Sequence, residues 1–215
     1  LLYHALGHET RVSAPEFVSQ GTSIDLDVET YGADKISYDV PPGWQADETL
    51  TLSDDAVTGD PYRDHYDPLA PPAPVVISHT KIDGQRIDVR HPLEGAFALP
   101  AQAAEVSPRA AVVNLTHDTR EVSVRVSGKD AQLQVPDGWR VAQDGTLQMP
   151  ADIKPGLFRL PAIAKGAQCH SIQRIAYDHV APTADITPAE MRVRVLDVAV
   201  PDVRVGYIGA GNDRV

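Results

Sequence analysis

The chain has 215 residues, a formal net charge of −11 and one cysteine. Because its 30 acidic residues outnumber its 19 basic ones, electrostatic repulsion opposes binding to nucleic acid or to an anionic membrane, and we expect neither as a partner. The 18 prolines and 15 glycines are typical of short strands joined by turns and not of packed helices.

The sequence carries no recognisable membrane span or address. No stretch approaches the roughly 18 consecutive apolar residues of a spanning helix, and the N-terminus has no basic flank leading into an apolar segment. We therefore expect a soluble protein, and the scarcity of cysteine suits a bacterial cytoplasmic protein and an exported one equally well. Residues 1–12 are weakly helical in pattern and too short to be stable alone, so we predict them to be the remnant of an upstream segment.

The first module begins with alternating strands. Residues 23–30 alternate apolar and mostly acidic side chains, which predicts a half-buried antiparallel strand. A second strand, 35–40, runs into Val40-Pro41-Pro42-Gly43-Trp44, where the prolines cannot donate hydrogen bonds to a sheet and therefore end the pairing. A third strand is predicted at 49–52.

A long loop is predicted at residues 53–74. Its acidic side chains are the ligand type that Ca²⁺ prefers, but the spacing of a calcium-binding loop is absent, so a solvated loop is the better interpretation. The loop also concentrates aromatic and imidazole side chains within residues 60–67, which makes this the first place to expect a ligand. The candidate ligand-binding residues there are Tyr62, His65 and Tyr66.

Strands resume after this loop and continue into a second module. Residues 74–80 and 85–90 flank Asp83-Gly84, a dipeptide that predicts a hairpin turn. We predict that the first module ends at residue 98 and that the second covers 99–197. Strands of the second module are predicted at 112–115, 120–126, 132–135, 146–149, 156–163, 169–180 and 191–196, with a linker at 182–188.

One short sequence occurs twice and organises both modules. Val40-Pro41-Pro42-Gly43-Trp44 recurs as Val135-Pro136-Asp137-Gly138-Trp139, at an offset of 95 residues, and these are the only two tryptophans. Each copy closes an alternating strand and precedes another. A repeat of this length is close to one sandwich domain, so we predict an all-β protein of two tandem immunoglobulin-like antiparallel β-sandwiches.

Two interpretations of the tryptophans stay open. Exposed indole rings at Trp44 and Trp139 would be platforms for stacking a sugar, so both are candidate ligand-binding residues. A shared role in core packing explains the same repeat without a ligand, and it is favoured because buried aromatic side chains dominate small cores.

The remaining reactive side chains give weak signals. Cys169 lies in an alternating run and is best explained as a buried structural thiol. His4 and His8 have a metal-compatible helical spacing, but they lack a catalytic glutamate between them and a third ligand. No sequence motif for a nucleophile with its base stands out, so we predict no catalytic residue, no metal site and no cofactor in this chain.

The C-terminal segment, 198–215, differs from the strands before it. Val203 to Ile208 is an apolar run typical of a strand buried on both faces, and Gly209 and Gly211 follow it. A dinucleotide site also needs a third glycine and a following helix. We therefore predict the start of a further α/β segment that binds no nucleotide here.

Three stretches resemble a known family. Ile172 to Pro182 (IQRIAYDHVAP), Arg192 to Val195 (RVRV) and Arg204 to Asp213 (RVGYIGAGND) resemble the region downstream of the deacetylase domain in large bacterial PIG-L/LmbE-type proteins. In that family, similar runs follow two β-sandwich modules, also called alpha-galactosidase NPCBM-associated domains, and the V-P-x-G-W corner is similar to those modules.

The resemblance implies a non-catalytic role for this chain. The family's enzyme binds zinc through an H-P-D-D motif, which does not occur here; the nearest string, His91-Pro92-Leu93-Glu94, lacks both aspartates. Zinc is therefore implied only for a catalytic domain outside this sequence, which would deacetylate an N-acetyl sugar. The expected role is spacing, docking or substrate presentation, with neighbouring domains of the same polypeptide as partners. The alternative is a pair of glycan-binding modules that use residues 60–67 or the tryptophans, and an independent enzyme is the third possibility.

Overall fold

The computed structural model describes residues 9–47, 49–56, 58, 73–93, 96–116, 120–199 and 206. These residues form strands, turns and irregular segments without any helix, and therefore include no helix that spans a membrane. The predicted all-β fold class is confirmed.

Ten strands, β1 to β10, form a first copy of the repeat. Their bounds are Glu9–Ser13, Phe17–Ser19, Thr22–Asp25, Asp27–Tyr31, Lys35–Asp39, Trp44–Ala46, Thr49–Leu52, Val75–Ile82, Gln85–Pro92 and Phe97–Leu99. The remaining strands, β11 to β22, form a second copy. Their bounds are Glu105–Ser107, Ala110–Asn114, Glu121–Ser123, Arg125–Ser127, Gln132–Leu133, Arg140–Val141, Thr146–Gln148, Gly156–Ala164, Ala167–Gln168, His170–Tyr177, Val180–Pro188 and Glu190–Leu196.

The strand pairing of the first copy recurs in the second. In the first copy, β1 pairs with β4, β7 lies between β3 and β6, β8 lies between β5 and β9, and β2 pairs with β10. In the second copy, β11 pairs with β14, β17 lies between β13 and β16, β18 pairs with β15, β19 and β22, and β12 pairs with β22. The β18–β22 pair and the β20–β21 hairpin have no counterpart in the first copy. The other pairings repeat, so the repeat seen in the sequence is largely a repeat of topology.

Each copy contains one parallel pair of strands among those with a described register. The pairs β2–β10 and β12–β22 are parallel, because an early strand and the last strand of a copy run in the same direction. All other pairs with a described register are antiparallel.

Two segments that were predicted to lie outside the strands belong to strands in the structure. The predicted linker 182–188 is part of β21, which pairs with β20 from Pro188 to Val180 and extends the second copy by a hairpin. Prolines are tolerated there because β21 is the edge of a two-stranded sheet. Residues 9–12 of the predicted upstream remnant belong to β1, whose cross-strand partners lie in β4.

The predicted hairpin turn between β8 and β9 is present. Asp83 and Gly84 have φ values of 51° and 80°, the left-handed conformation that a two-residue hairpin turn requires. Lys165 and Gly166 adopt nearly the same values, 51° and 80°, between β18 and β19. The second hairpin was not predicted because lysine carries no turn signal.

Buried apolar side chains form a core in each copy. In the first copy, a cluster of buried residues contains Val18, Trp44, Leu50, Leu52, Ala56, Val76, Leu93 and Ala96. In the second copy, the fully buried side chains include Leu147, Leu160, Met191, Val193 and Val195. These side chains alternate along their strands with exposed ones, as half-buried sheets require.

The chain also divides into two compact units that are discontinuous in sequence. One takes its described residues from Leu1–Val106, Val126–Gln134 and Pro161–Glu190, and the other takes its own from Ser107–Arg125, Val135–Leu160 and Met191–Val215. The predicted boundary between residues 98 and 99 stays a prediction. Of the predicted α/β segment at 198–215, the structure describes only Val198, Ala199 and Gly206, all of them exposed.

Candidate functional site

Three of the five candidate ligand-binding residues cannot be placed. Tyr62, His65 and Tyr66 lie outside the described residues, as do His4 and His8. Their predicted roles stay predictions. The two tryptophans are described, and the site is built from them.

Trp44 and Trp139 occupy equivalent corners. The amide of Trp44 donates to the carbonyl of Pro41 at 3.1 Å, and the amide of Trp139 donates to the carbonyl of Pro136 at 3.1 Å. Gly43 and Gly138 have φ values of 86° and 80°, which favour glycine. We call residues 40–44 the first corner and residues 135–139 the second corner.

Both indole rings are buried. Trp44 and Trp139 are each 8% exposed, and Trp139 packs on Phe158 with ring centroids 5.1 Å apart. A sugar-stacking platform needs an exposed ring face, so this burial favours the packing interpretation. Direct ligand contact by either ring stays a prediction.

The first corner is closed by the segment that follows β7. The amide of Ser53 donates to the carbonyl of Gly43 at 2.9 Å. Ala56, 6% exposed, covers the corner so closely that a Cβ added to Gly43 would lie 2.6 Å from the Ala56 Cβ. No side chain larger than hydrogen fits at Gly43.

The second corner is open because a proline stands where the first has Ser53. The register of β16 with β17 pairs Arg140 with Gln148, so Gly138 faces Pro150, which has no N–H to donate. A Cβ added to Gly138 would come no closer than 3.6 Å to the Pro150 side chain. Next to these two residues lies a solvent-open cavity of about 670 Å³, here called the corner cavity.

A chain of polar side chains crosses three strands beside the corner cavity. Arg140 Nε donates to Gln148 Oε1 at 2.5 Å, and Gln148 Nε2 donates to Glu121 Oε1 at 2.7 Å. These residues lie directly opposite one another on β16, β17 and β13. We call Arg140, Gln148 and Glu121 the polar ladder.

Arg120 completes the polar lining of the corner cavity. Its Nη1 donates to the carbonyl of Ala151 at 2.5 Å, which fixes the guanidinium plane. Its Nε is buried and has no hydrogen-bond partner within the described part of the chain. A buried donor without an acceptor is costly to the folded state. His117, Asp118 and Thr119 precede Arg120 and lie outside the described residues.

The first corner carries small neutral side chains at the equivalent positions. Gln45, Thr51 and Ser23 lie opposite one another on β6, β7 and β3, as the members of the polar ladder do. Ser23 Oγ and Thr51 Oγ1 are 2.7 Å apart and share a hydrogen bond. Charge and cavity are therefore features of the second corner.

A separate polar cluster lies on the outer face of the β5–β8–β9 sheet. Ser37 Oγ lies 2.6 Å from His79 Nε2, and His79 Nδ1 lies 2.7 Å from Asp88 Oδ1. This is the order of contacts in a serine–histidine–aspartate triad. No local sequence motif predicts this set, because its members are far apart along the chain.

Two features of this cluster oppose nucleophilic catalysis. Arg86 Nε donates to the same Asp88 oxygen at 2.8 Å, so its positive charge offsets the carboxylate charge that would stabilise a protonated His79. Arg86 Nη2 also lies 3.0 Å from His79 Nδ1, so it competes for the nitrogen that must donate to Asp88. In addition, Ser37 lies within a paired strand, whose N–H groups point along the sheet and not toward a developing oxyanion above it.

A smaller cavity, of about 280 Å³, adjoins His170. Burial lowers the pKa of His170, and its Nδ1 is buried without a hydrogen-bond partner among the described residues. Neighbouring Cys169 is fully buried, and burial raises the pKa of its thiol, which supports a structural role. Within the described ranges, no group of three His, Cys, Asp or Glu side chains is arranged to hold a metal ion.

Comparison with known proteins gives a likeness in fold only. No family model matches the chain, and no curated protein matches it. Among solved structures, the four N-terminal Ig domains of Dscam1 isoform 8.4 match at 12% identity and a TM-score of 0.26, over 97% of this chain and 56% of that one. The SGBP-B protein of the Bacteroides ovatus mixed-linkage glucan utilization locus, solved with a mixed-linkage heptasaccharide, matches at 14% identity and a TM-score of 0.23, over 87% of this chain and 44% of that one. The chain thus spans about half the length of these structures.

Proposed function

We propose that this chain is a non-catalytic pair of β modules within a multidomain PIG-L-type deacetylase of N-acetyl sugars. In that protein it acts as a spacer, docking or substrate-presenting region for the catalytic domain. The observation that carries the proposal is the repeated strand pairing with a buried tryptophan at each corner. The most distinctive residues of the sequence are used to build two similar scaffolds, as expected of accessory modules.

The link to the deacetylase rests on the resemblance in residues 172–213. The reading frame that encodes this chain tests it directly, because an H-P-D-D segment upstream of Leu1 is expected. A frame without that segment contradicts the link. The chain alone, assayed with added Zn²⁺ for acetate release from N-acetylglucosamine derivatives, is expected to show no turnover.

Docking is tested with the two parts of such a protein made separately. Calorimetric titration of the catalytic part into this chain is expected to give saturable binding, since linked domains that dock bury a complementary surface. Equal activity of the catalytic part with and without this chain, together with no heat of binding, leaves spacing as the only supported role.

A second candidate function is glycan binding, and the corner cavity favours it. Its volume of about 670 Å³ lies within the roughly 300–1,000 Å³ typical of small-molecule sites. Its lining offers guanidinium, amide and carboxylate groups that can bond to hydroxyls. Calorimetry with neutral and acidic oligosaccharides tests this function, whereas tryptophan fluorescence is expected to respond weakly because both rings are buried.

Hydrolysis at Ser37 is the activity that could overturn the non-catalytic proposal. We expect the chain to cleave p-nitrophenyl acetate no faster than the Ser37→Ala variant does, because Arg86 competes for the base. Labelling of the folded chain by a fluorophosphonate, lost in Ser37→Ala, would show that the Ser37 cluster is catalytic.

A further inference from the structure

We propose that the corner cavity binds a sugar acid, meaning a saccharide unit that carries one carboxylate beside its hydroxyls. This inference rests on the glycan-binding candidate and gives it a ligand class and a location. It starts from the difference between the corners. The equivalent positions Thr22, Ser23, Gln45 and Thr51 are neutral, whereas the second corner has Arg120, Glu121, Arg140 and Gln148.

The positive charge of the side chains that line the corner cavity favours an anionic ligand. Two arginines and one glutamate give the corner cavity a formal charge of +1, in a chain whose net charge is −11. Only donors placed locally can hold an anion against that overall field. Arg140 uses its Nε within the polar ladder, and its Nη atoms have no described hydrogen bond, so they form an available pair of donors for a carboxylate.

Glu121 restricts the kind of anion. It accepts one hydrogen bond from Gln148 through Oε1, and its exposed carboxylate repels a second negative charge at the site. A ligand with one negative charge suffers less repulsion than a doubly charged phosphate. The free oxygen of Glu121 can instead accept from ligand hydroxyls, which a sugar supplies in adjacent pairs.

The remaining lining suits a sugar ring. Met149 and Pro150 give the corner cavity an apolar wall, against which the C–H face of a ring packs. Gly138 leaves room at the corner, since a Cβ there would have Pro150 as its nearest neighbour at 3.6 Å. One carboxylate, several hydroxyls and one apolar face are together the chemistry of a sugar acid.

The test is calorimetric titration of the full chain with D-galacturonate, which carries one carboxylate, at low ionic strength. Saturable binding is expected, and it should weaken as salt rises because the contact is charged. Arg140→Met, which keeps most of the side-chain volume, should weaken binding by about tenfold or more, the effect of losing a charged hydrogen bond. Arg125→Met removes an exposed arginine from β14 outside the corner cavity and is the matched control, with binding unchanged.

A variant that adds charged side chains to the first corner distinguishes the contribution of charge to binding from that of the cavity. The triple variant Gln45→Arg, Thr51→Gln, Ser23→Glu copies the polar ladder onto the first corner, which Ala56 keeps closed. We expect no second binding site, so the measured stoichiometry should stay at one. A stoichiometry of two would show that the ladder binds without a cavity and would overturn the assignment.

The neutral methyl ester of the same sugar and inorganic sulfate distinguish the other outcomes. Equal binding of acid and ester overturns the sugar acid and leaves a neutral glycan site. Equal competition by sulfate overturns it in favour of an unspecific anion site. If neither acid nor ester binds, this inference and the glycan-binding candidate both fail, while the docking proposal is judged by its own titration. Unchanged affinity in a folded Arg140→Met places the site elsewhere.

Discussion

The two corners have the same backbone conformation, but the first is covered by the following segment and the second is open to solvent. Each has a left-handed glycine, a buried tryptophan and an amide of that tryptophan bonded three residues back. At the first corner, the chain after β7 bonds to Gly43 and packs Ala56 over it. At the second corner, Pro150 cannot make that bond, and a cavity of about 670 Å³ lies beside Gly138.

The difference teaches that the buried positions of the motif stay alike while its exposed positions differ. The tryptophan, the glycine and the central strand are alike in both corners, since they hold the strands together. The side chains on the outer face of the strands are free to differ because they contribute little to folding. A ligand site can therefore develop at one corner while the other remains a plain scaffold.

Removal of the tryptophans tests the likeness of the corners. Trp44→Ala and Trp139→Ala should each lower the free energy of unfolding by roughly 3 to 5 kcal/mol, because each empties a large buried site. Chemical denaturation of both variants measures this. A loss at one position only would mean that the two corners are alike in geometry and not in energy.

Alanine substitutions of the corner glycines test the difference in packing between the two corners. Gly138→Ala should cost about 1 to 2 kcal/mol, which is the strain of a left-handed conformation. Gly43→Ala carries the same strain and in addition forces a Cβ against Ala56, so it should cost about 1 to 3 kcal/mol more. Equal losses in urea unfolding would show that Ala56 moves aside freely.

Substitution of the polar ladder tests whether these side chains contribute to the free energy of unfolding. The variant Arg140→Gln, Gln148→Thr, Glu121→Ser gives the second corner the side chains of the first. Its free energy of unfolding should change by less than about 1 kcal/mol, the size of a cross-strand pair at a surface. A larger loss would assign the ladder a structural role and weaken the case for a binding site.

The stability that ionised Asp88 gives to the β8–β9 hairpin should depend on pH. Arg86 and His79 hold the pKa of Asp88 at about 2, below its ordinary value of 3.8. The stabilisation from ionised Asp88 is therefore present above pH 4 and lost as pH falls toward 2. In the second copy, the corresponding strand β19 ends at Gln168. Beyond it, the backbone amide of His170 donates to the backbone carbonyl of Gln102.

The Asp88→Asn variant should thus be less stable than the parent chain at pH 6, with the gap closing between about pH 4 and pH 2. Melting temperatures measured across this range test the expectation. A gap that is constant with pH would show that the Arg86 and His79 contacts do not stabilise the folded chain.

Much of the fold could be predicted from local pattern. The Asp83-Gly84 turn and the repeated corner each depend on neighbours in sequence, and the structure contains them. The alternation in residues 23–30 is also present, but the single strand predicted there is divided at Leu26 into β3, which pairs with β7, and β4, which pairs with β1. The linker predicted at 182–188 was wrong because a proline at each end hid an edge strand, whose partner β20 makes the pairing possible. Parallel pairing of β2 with β10 was equally hidden, because it joins the two ends of a copy.

The sequence by itself determined the all-β class and the repeated corner with its tryptophan and glycine, since these follow from side-chain periodicity and backbone preference. The burial of both indole rings, which favours packing over sugar stacking, was decided by the tertiary structure. Only the tertiary structure decided which polar side chains meet. Ser37 and His79 are 42 residues apart, and Glu121 and Gln148 are 27 apart, so their contacts depend on strand register. The same register sets Ser53 against Gly43 and Pro150 against Gly138, and one missing N–H group there distinguishes a closed corner from an open one.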